Sequence, residues 1–251
     1  MGKDELERYA RHIILREIGG PGQQKLRCAR VLAIGAGGLG SPALMYLAAA
    51  GVGTLGIVDD DVVSLSNLQR QIIHATGAID TPKVLSASKT IADINPHIAV
   101  EAHHTRLAPE NAAQIIGGYD LVLDGSDNFV TRYMVNEVCT TLKTPLISAA
   151  LSQWEGQISL FDPANGGPCY ACVFPERPAD GLAPSCAAGG VMGALAGVMG
   201  SMMAGEAIKH ITGAGAGLCG DMLIYDALYA EARKFTLVKN PACSVCADTP
   251  H

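Results

Sequence analysis

The stretch VLAIGAGGLGSPALMYLAAAGVGTLGIVD, residues 31–59, reads as strand, glycine turn, helix and strand. The apolar run Val31 to Ile34 enters Gly35-Ala36-Gly37-Gly38-Leu39-Gly40. An Ala/Leu-rich helix follows, closes at Gly51, and gives way to a second apolar run ending at Asp59. This is a βαβ unit with Gly-x-Gly-x-x-Gly spacing. Glycines allow the tight turn and let backbone N–H groups approach phosphate at a helix N-terminus. An acid about 20 residues further on can accept a ribose hydroxyl. A nucleotide site is therefore expected here. Taken alone, the spacing favours a dinucleotide, as in a nicotinamide-dependent oxidoreductase.

Working outward, residues 4–18 carry Leu6, Tyr9, Ile13, Ile14 and Ile18 at helical spacing, which predicts one amphipathic helix ending at Gly19-Gly20-Pro21. Downstream, helices are expected from Lys83 to Ile94, from Pro109 to Ile116 and from Asn128 to Leu142. Strands are expected over Ile98–Ala102, Tyr119–Leu123 and Pro145–Ala149. This alternation predicts an α/β fold with a Rossmann-like, doubly wound, mostly parallel sheet. Beyond residue 150, Gln157–Phe161, Met222–Asp226 and Arg233–Val238 read as further strands, and Gly189–Thr212 as a helix rich in small residues. With no low-complexity linker, the second half is expected to extend the same sheet with antiparallel strands. The chain then forms a single domain over 1–251: an N-terminal helix and arm (about 1–28), a nucleotide-binding half (29–150) and a second half (151–251).

Apolar residues make up 49% of the chain and charged residues 17%, which excludes a disordered chain. With 18 basic against 24 acidic residues and a net charge of −6, nucleic acid and anionic membrane surfaces are excluded as main partners. The N-terminus Met-Gly-Lys-Asp-Glu-Leu-Glu-Arg lacks the apolar core of a signal peptide, which predicts a cytoplasmic protein. Ala187–Gly205 carries no charge and places Gly189, Gly193 and Gly197 at every fourth position. Glu206 and Lys209 follow at once, so the expectation is a buried helix packing by its small residues, or a subunit interface, and not a membrane span.

Cysteine spacing is the strongest local signal. Cys169-Tyr-Ala-Cys172 and Cys243-Ser-Val-Cys246 form two Cys-x-x-Cys pairs, suited to a closed tetrahedral zinc site with a structural role. The competing reading is a redox pair, but neither pair sits where a strand runs into a helix. Arg11, Arg70 and Lys83 are candidate phosphate-binding cations, with solvated surface charge as the alternative. Asp127 follows a strand end and can hold magnesium; equally, Asp127 and Asn128 can cap a helix.

Gly-x-Gly-Gly-Leu-Gly, Asp59, Ser66-Asn67-Leu68-Gln69-Arg70, Lys83, Asp127-Asn128, both Cys-x-x-Cys pairs and Arg8-Tyr9-Ala10-Arg11 together resemble the MoeB and ThiF adenylyltransferases, relatives of ubiquitin-activating enzymes. The resemblance runs from about residue 6 to residue 246. It implies a homodimer that uses magnesium ATP to adenylate the C-terminal glycine of a small ubiquitin-like sulfur carrier ending in Gly-Gly. It further implies that Gly38 lies against the nucleotide and Asp59 holds the ribose. Ser66, Asn67, Leu68, Gln69 and Asn128 belong to the ATP site, Arg70 and Lys83 steady the triphosphate, and Asp127 binds magnesium. Arg11 is expected to enter from the partner subunit.

Cys186 matches a family cysteine on a crossover loop that in some members links covalently to the carrier; the alternative is an inert thiol. Gly125 stands where many relatives carry cysteine. The chain stops soon after Cys246, so a separate protein is expected to donate the sulfur. The surroundings Tyr225-Asp226-Ala227 and Lys239-Asn240-Pro241 resemble the MoeB branch, which implies the molybdopterin synthase small subunit as carrier, with the thiamine-pathway carrier as alternative. A zinc-stapled scaffold that binds such a carrier without catalysis, and an NAD-dependent oxidoreductase, are the readings that compete with adenylation.

Overall fold

The computed structural model describes residues 1–178 and 189–247. Its centre is one eight-stranded sheet. Strands β1 (Arg30–Ile34), β2 (Thr54–Val58), β3 (Ala99–His103), β4 (Leu121–Asp124) and β5 (Leu146–Ser152) run parallel, in the order β3-β2-β1-β4-β5. Three antiparallel strands, β6 (Glu155–Phe161), β7 (Asp221–Asp226) and β8 (Glu231–Thr236), continue it. The expected doubly wound sheet with an antiparallel extension is present.

The glycine-turn helix, α4 (Gly40–Ala50), packs most of its length into the core, and Leu44 and Leu47 are wholly buried. Each stabilises the fold by about 2 kcal/mol through removal of its apolar surface from water. A long helix, α9 (Gly193–Thr212), lies against α4. A Cβ on Gly200 would sit 2.3 Å from the Leu39 carbonyl oxygen, so only glycine lets the two backbones meet here. The contact with α4 thus falls outside the every-fourth-residue spacing. Of the spaced glycines, Gly193 is tight against the Gln69 backbone, where a Cβ would lie 2.3 Å from the carbonyl oxygen, while a Cβ on Gly197 would point into open space. No helix among the described residues is long and apolar enough to cross a membrane.

The N-terminus differs from expectation. Instead of one helix over residues 4–18 there are two short ones, α1 (Lys3–Arg8) and α2 (Ala10–Ile13). Gly19-Gly20-Pro21 opens a third, α3 (Gly19–Cys28), instead of ending the first. Pro21 is tolerated because the first turn of a helix leaves its N–H groups without intrahelical acceptors. The break follows from Tyr9, which is buried, lies over Gly51 and accepts a 2.8 Å hydrogen bond from Asn95 on its hydroxyl. Anchoring that ring outweighs continuing one amphipathic stripe.

Three further helices cover the sheet: α5 (Lys83–Ile94), α6 (Pro109–Ile116) and α7 (Phe129–Leu142). The first stops at Asn95 because the residue before Pro96 is pushed into extended backbone. Asn128 does cap the third, its side-chain oxygen accepting from the Thr131 N–H at 2.9 Å. A four-residue helix, α8 (Tyr170–Val173), comes after β6 and the turn Pro163–Asn165. Cys169 is its cap and Cys172 lies within it, so the first cysteine pair does open a helix, though not directly from a strand.

Candidate nucleotide site and cysteine cluster

A cavity of about 760 Å³ opens where the parallel strands end. Its wall includes Gly37, Gly38, Asp59, Arg70, Lys83, Asp127 and Asn128. Parallel α/β sheets bind ligands at this carboxyl edge, because the strand order reverses between β1 and β4 and leaves a crevice.

The turn that starts the cavity depends on two glycines. Gly35 has φ +91°, a left-handed conformation that disfavours side chains, and a Cβ on Gly40 would lie 2.0 Å from the Gly35 carbonyl oxygen. The turn therefore closes tightly on itself, and no described residue accepts from the N–H of Gly37 or Gly38. At Gly38 a Cβ would meet Ala196 of α9 at 3.2 Å, with the Arg70 stem beyond. Asp59 braces the turn: one carboxylate oxygen accepts from the Ala36 N–H at 2.8 Å, the other from the Asp61 N–H at 2.9 Å. Burial raises its pKa above the ordinary carboxylate value, against the attraction of the Lys83 ammonium.

Lys83 opens α5, is only 4% exposed, and pairs with Asp61 at 2.7 Å. The Asp61 side chain is 69% exposed and can rotate into solvent, freeing the ammonium for another anion. Arg70 is half-buried and donates to the Ser66 carbonyl at 3.2 Å. Ser66, Asn67, Leu68 and Gln69 are not in the cavity wall; they form the turn around Leu65–Asn67 that delivers Arg70 and Gln71 to it. Asp127 is exposed at the mouth of the β4–α7 loop, and no described residue hydrogen-bonds or ion-pairs with its carboxylate. An acceptor left free beside a cavity of this charge suits a hard divalent cation. Arg11 lies on α2, exposed and outside the cavity wall. Cys186 lies outside the described residues.

Three residues with no part in the sequence reading belong to the site. Arg132, buried on α7, donates to the Ser148 hydroxyl at 2.9 Å, to the Ala149 carbonyl at 2.7 Å and to the Ser126 carbonyl. Asp124 is its ion-pair partner at 3.6 Å. It thereby ties the Asp127 loop to β5. Gln71, 5% exposed, faces the cavity next to Gly37, and its buried side-chain oxygen has no partner among the described residues. His74 joins the glycine turn to α5, bonding the Ala36 carbonyl and the Ser86 hydroxyl, both at 2.9 Å. Burial holds its pKa below 6.5, so the imidazole is neutral, with its Nε2 proton on the Ala36 oxygen. Gln71 directly follows Arg70 in the same turn, a signal in plain sight. Arg132 and His74 carried none, because an isolated cation or histidine acquires its role only from what surrounds it.

The two Cys-x-x-Cys pairs meet although they are 74 residues apart. Sulfur separations are 3.6 Å between Cys169 and Cys243, 3.4 Å between Cys172 and Cys246 and 3.9 Å between Cys169 and Cys172, with no disulfide among them. Four thiolates at 2.3 Å from one zinc ion lie about 3.8 Å apart, so the set fits tetrahedral zinc. Cys169, Cys243 and Cys246 are buried, and four sulfurs would fill the coordination sphere of a tetrahedral ion. Cys139 is a core cysteine whose thiol pKa is raised by burial, while Cys28 and Cys219 are exposed.

The model of the ThiF family matches residues 9–245 of this chain. A sulfur carrier protein adenylyltransferase from Thermus thermophilus is 48% identical over 252 residues, an alignment that spans 99% of this chain and 93% of that protein. A probable adenylyltransferase/sulfurtransferase, MoeZ, from Mycobacterium tuberculosis is 49% identical over 245 residues. There the match covers 96% of this chain but 62% of the relative. Among solved structures, that of Escherichia coli MccB with ATP aligns with a TM-score of 0.82 at 20% identity, covering 91% of this chain and 70% of that one, and shows the shared fold.

Proposed function

The chain belongs to the ThiF family, and from that premise we propose that it adenylates the C-terminal carboxylate of a ubiquitin-like sulfur carrier, using ATP and releasing pyrophosphate. One observation carries the reading: a single cavity gathers a glycine turn, a ribose-type acid (Asp59), two cations (Arg70, Lys83) and a free carboxylate (Asp127). A hydride-transfer site has no use for that much charge, whereas a triphosphate does. Relatives named as adenylyltransferases at 48% and 49% identity support the same conclusion.

In this reading the carrier carboxylate attacks the α-phosphorus, the acyl phosphate bond forms, and the bond to the β-phosphate oxygen breaks. Negative charge accumulates on the phosphoryl oxygens as pyrophosphate leaves. Preorganised cations act where that charge develops, an effect worth several kcal/mol as an order of magnitude. Gly37 and Gly38 offer N–H groups to phosphate, Asp59 accepts the ribose hydroxyl, and Arg70 and Lys83 hold the β- and γ-phosphates. Lys83 exchanges Asp61 for phosphate on nucleotide binding. Asp127 would hold magnesium, which would supply charge neutralisation at the triphosphate. Arg132 keeps Asp127 in place, and Arg11, outside the wall of its own cavity, serves the cavity of a second subunit in a homodimer. Cys169, Cys172, Cys243 and Cys246 would hold zinc, which would tie the segment of the second cysteine pair to α8.

The carrier assigned is the small subunit of molybdopterin synthase, acting in molybdenum cofactor biosynthesis. The test is ATP/pyrophosphate exchange with that carrier and with the thiamine-pathway carrier, each ending in Gly-Gly. Exchange well above background with the first and weak exchange with the second is expected. Background exchange with every carrier, together with NADH binding, would reject adenylation. Adenylation uses no thiol, so Cys186→Ala retains full exchange.

A further inference from the structure

We propose that Asn136 couples the four-cysteine cluster to the nucleotide cavity, so that metal at the sulfurs and nucleotide in the cavity stabilise one another. The inference rests on the zinc reading given above. Asn136 is 1% exposed on α7 and spends both ends of its amide on Cys169, the cap of α8, and Tyr170, its first residue. Its side-chain oxygen accepts from the Tyr170 N–H at 2.8 Å, and its side-chain nitrogen donates toward the Cys169 sulfur at 3.8 Å. Only one orientation of the amide satisfies both, since sulfur needs a donor and the N–H an acceptor. The Tyr170 N–H begins a helix and has no intrahelical acceptor, and Cys169, the capping residue, makes no side-chain cap bond. A residue 34 positions earlier therefore supplies the cap.

What lies either side of that clamp gives it a function beyond capping. The Tyr170 ring lines the nucleotide cavity, edge-on to Phe161 and Tyr133 at 5.7 and 5.3 Å and against Phe174, another wall residue, at 4.8 Å. Cluster and cavity wall are thus adjacent residues of one chain. In the other direction, one turn of α7 separates Asn136 from Arg132, which grips the Asp127 loop, and Tyr133 reaches the Phe174 carbonyl at 2.8 Å. A helix of 14 residues therefore has its first turn beside the cavity and its middle beside the cysteine cluster. A donor to a metal-bound thiolate orients it and tempers its charge, and loss of such an outer partner typically costs about 10–100-fold in metal affinity. Any coupling between the two sites must be reciprocal in binding.

The experiment measures zinc release from the full chain to a chromogenic chelator, with and without saturating α,β-methylene ATP whose binding is verified by equilibrium dialysis. Wild type, Asn136→Asp and Asn136→Ala are compared, and the visible spectrum of each cobalt(II)-loaded form is recorded. Asn136→Asp keeps an acceptor for the Tyr170 N–H and loses the donor to sulfur, so it separates capping from metal contact. Nucleotide should slow wild-type release at least about 5-fold. Asn136→Asp should release zinc roughly 10–100-fold faster, shift the thiolate-to-cobalt bands and lose the nucleotide effect. Wild-type release unchanged by bound nucleotide, or an Asn136→Asp protein with wild-type release and spectrum, overturns the proposal. The wild-type arm needs no variant, so misfolding of Asn136→Ala leaves the test intact. Wild-type protein that holds no zinc and gives no tetrahedral cobalt spectrum refutes the zinc reading instead, a result distinct from failed coupling.

Discussion

The two halves of the sheet build their sites in opposite ways. In residues 29–150 three of the candidate groups stand just past the end of a parallel strand: the glycine turn after β1, Asp59 after β2 and Asp127 after β4. Local order places these groups, because every strand points its carboxyl end at the same crevice. In residues 151–247 the cysteines of one site come from a short helix and a loop 74 residues apart, and only closure of the chain brings them together. The first design is expected to tolerate change in single side chains without unfolding. The second, with zinc bound, would stake folding on four atoms. A side chain lost from the strand ends should therefore cost chemistry, and one lost from the cluster should cost the fold.

The sharpest way to break this contrast is Cys246→Ser. It should abolish zinc retention and lower the melting temperature by about 10 °C or more, read by metal analysis and calorimetry. A stable, metal-free protein with unchanged melting would erase the difference between the halves. Asp127→Ala should instead reduce carrier-dependent exchange roughly 100- to 1000-fold with melting unchanged. A large melting shift in that variant would make Asp127 structural. Between these extremes, Gly40→Ala forces a Cβ against the Gly35 carbonyl at 2.0 Å, so the turn must open. It should destabilise by about 1–3 kcal/mol in chemical denaturation and raise the KM for ATP more than it lowers kcat.

The smallest effect concerns His74. Because burial depresses its folded pKa below 6.5, the unfolded chain takes up the proton first as pH falls. The stability its neutral form confers is complete above 6.5 and is lost progressively as pH drops toward the lower folded value. Melting measured at pH 7.5 and 5.5 should fall less in His74→Gln than in wild type. An equal fall in both would show that the imidazole titrates alike in the folded and unfolded chain.

Much of this was legible along the chain, and the misses follow a rule. Helices Lys83–Ile94 and Pro109–Ile116 carry their own boundary signals in Pro82, Pro96 and Pro109, and they begin and end where expected. The N-terminal helix was misplaced because its apolar spacing continued past Tyr9, and a buried ring bound to Asn95 decided the break. Gly200, outside the every-fourth-residue spacing, is the glycine that meets α4, and Gly193 meets Gln69 instead, because the docking of the helices and not the spacing decides which glycine is tight.

By itself the sequence determined the βαβ unit, the parallel-then-antiparallel sheet and the cysteine pairs. Each of these rests on spacing between near neighbours, which backbone geometry converts directly into position. Tertiary structure alone decided that Lys83 rests on Asp61, that Arg132 grips the Asp127 loop, that His74 ties the glycine turn to α5, and that Asn136 joins the cysteine cluster to the cavity wall. These are single polar side chains whose partners lie on other elements. Their roles come from desolvation: once buried, each must find a hydrogen-bond partner, and the partner it finds sets what it does.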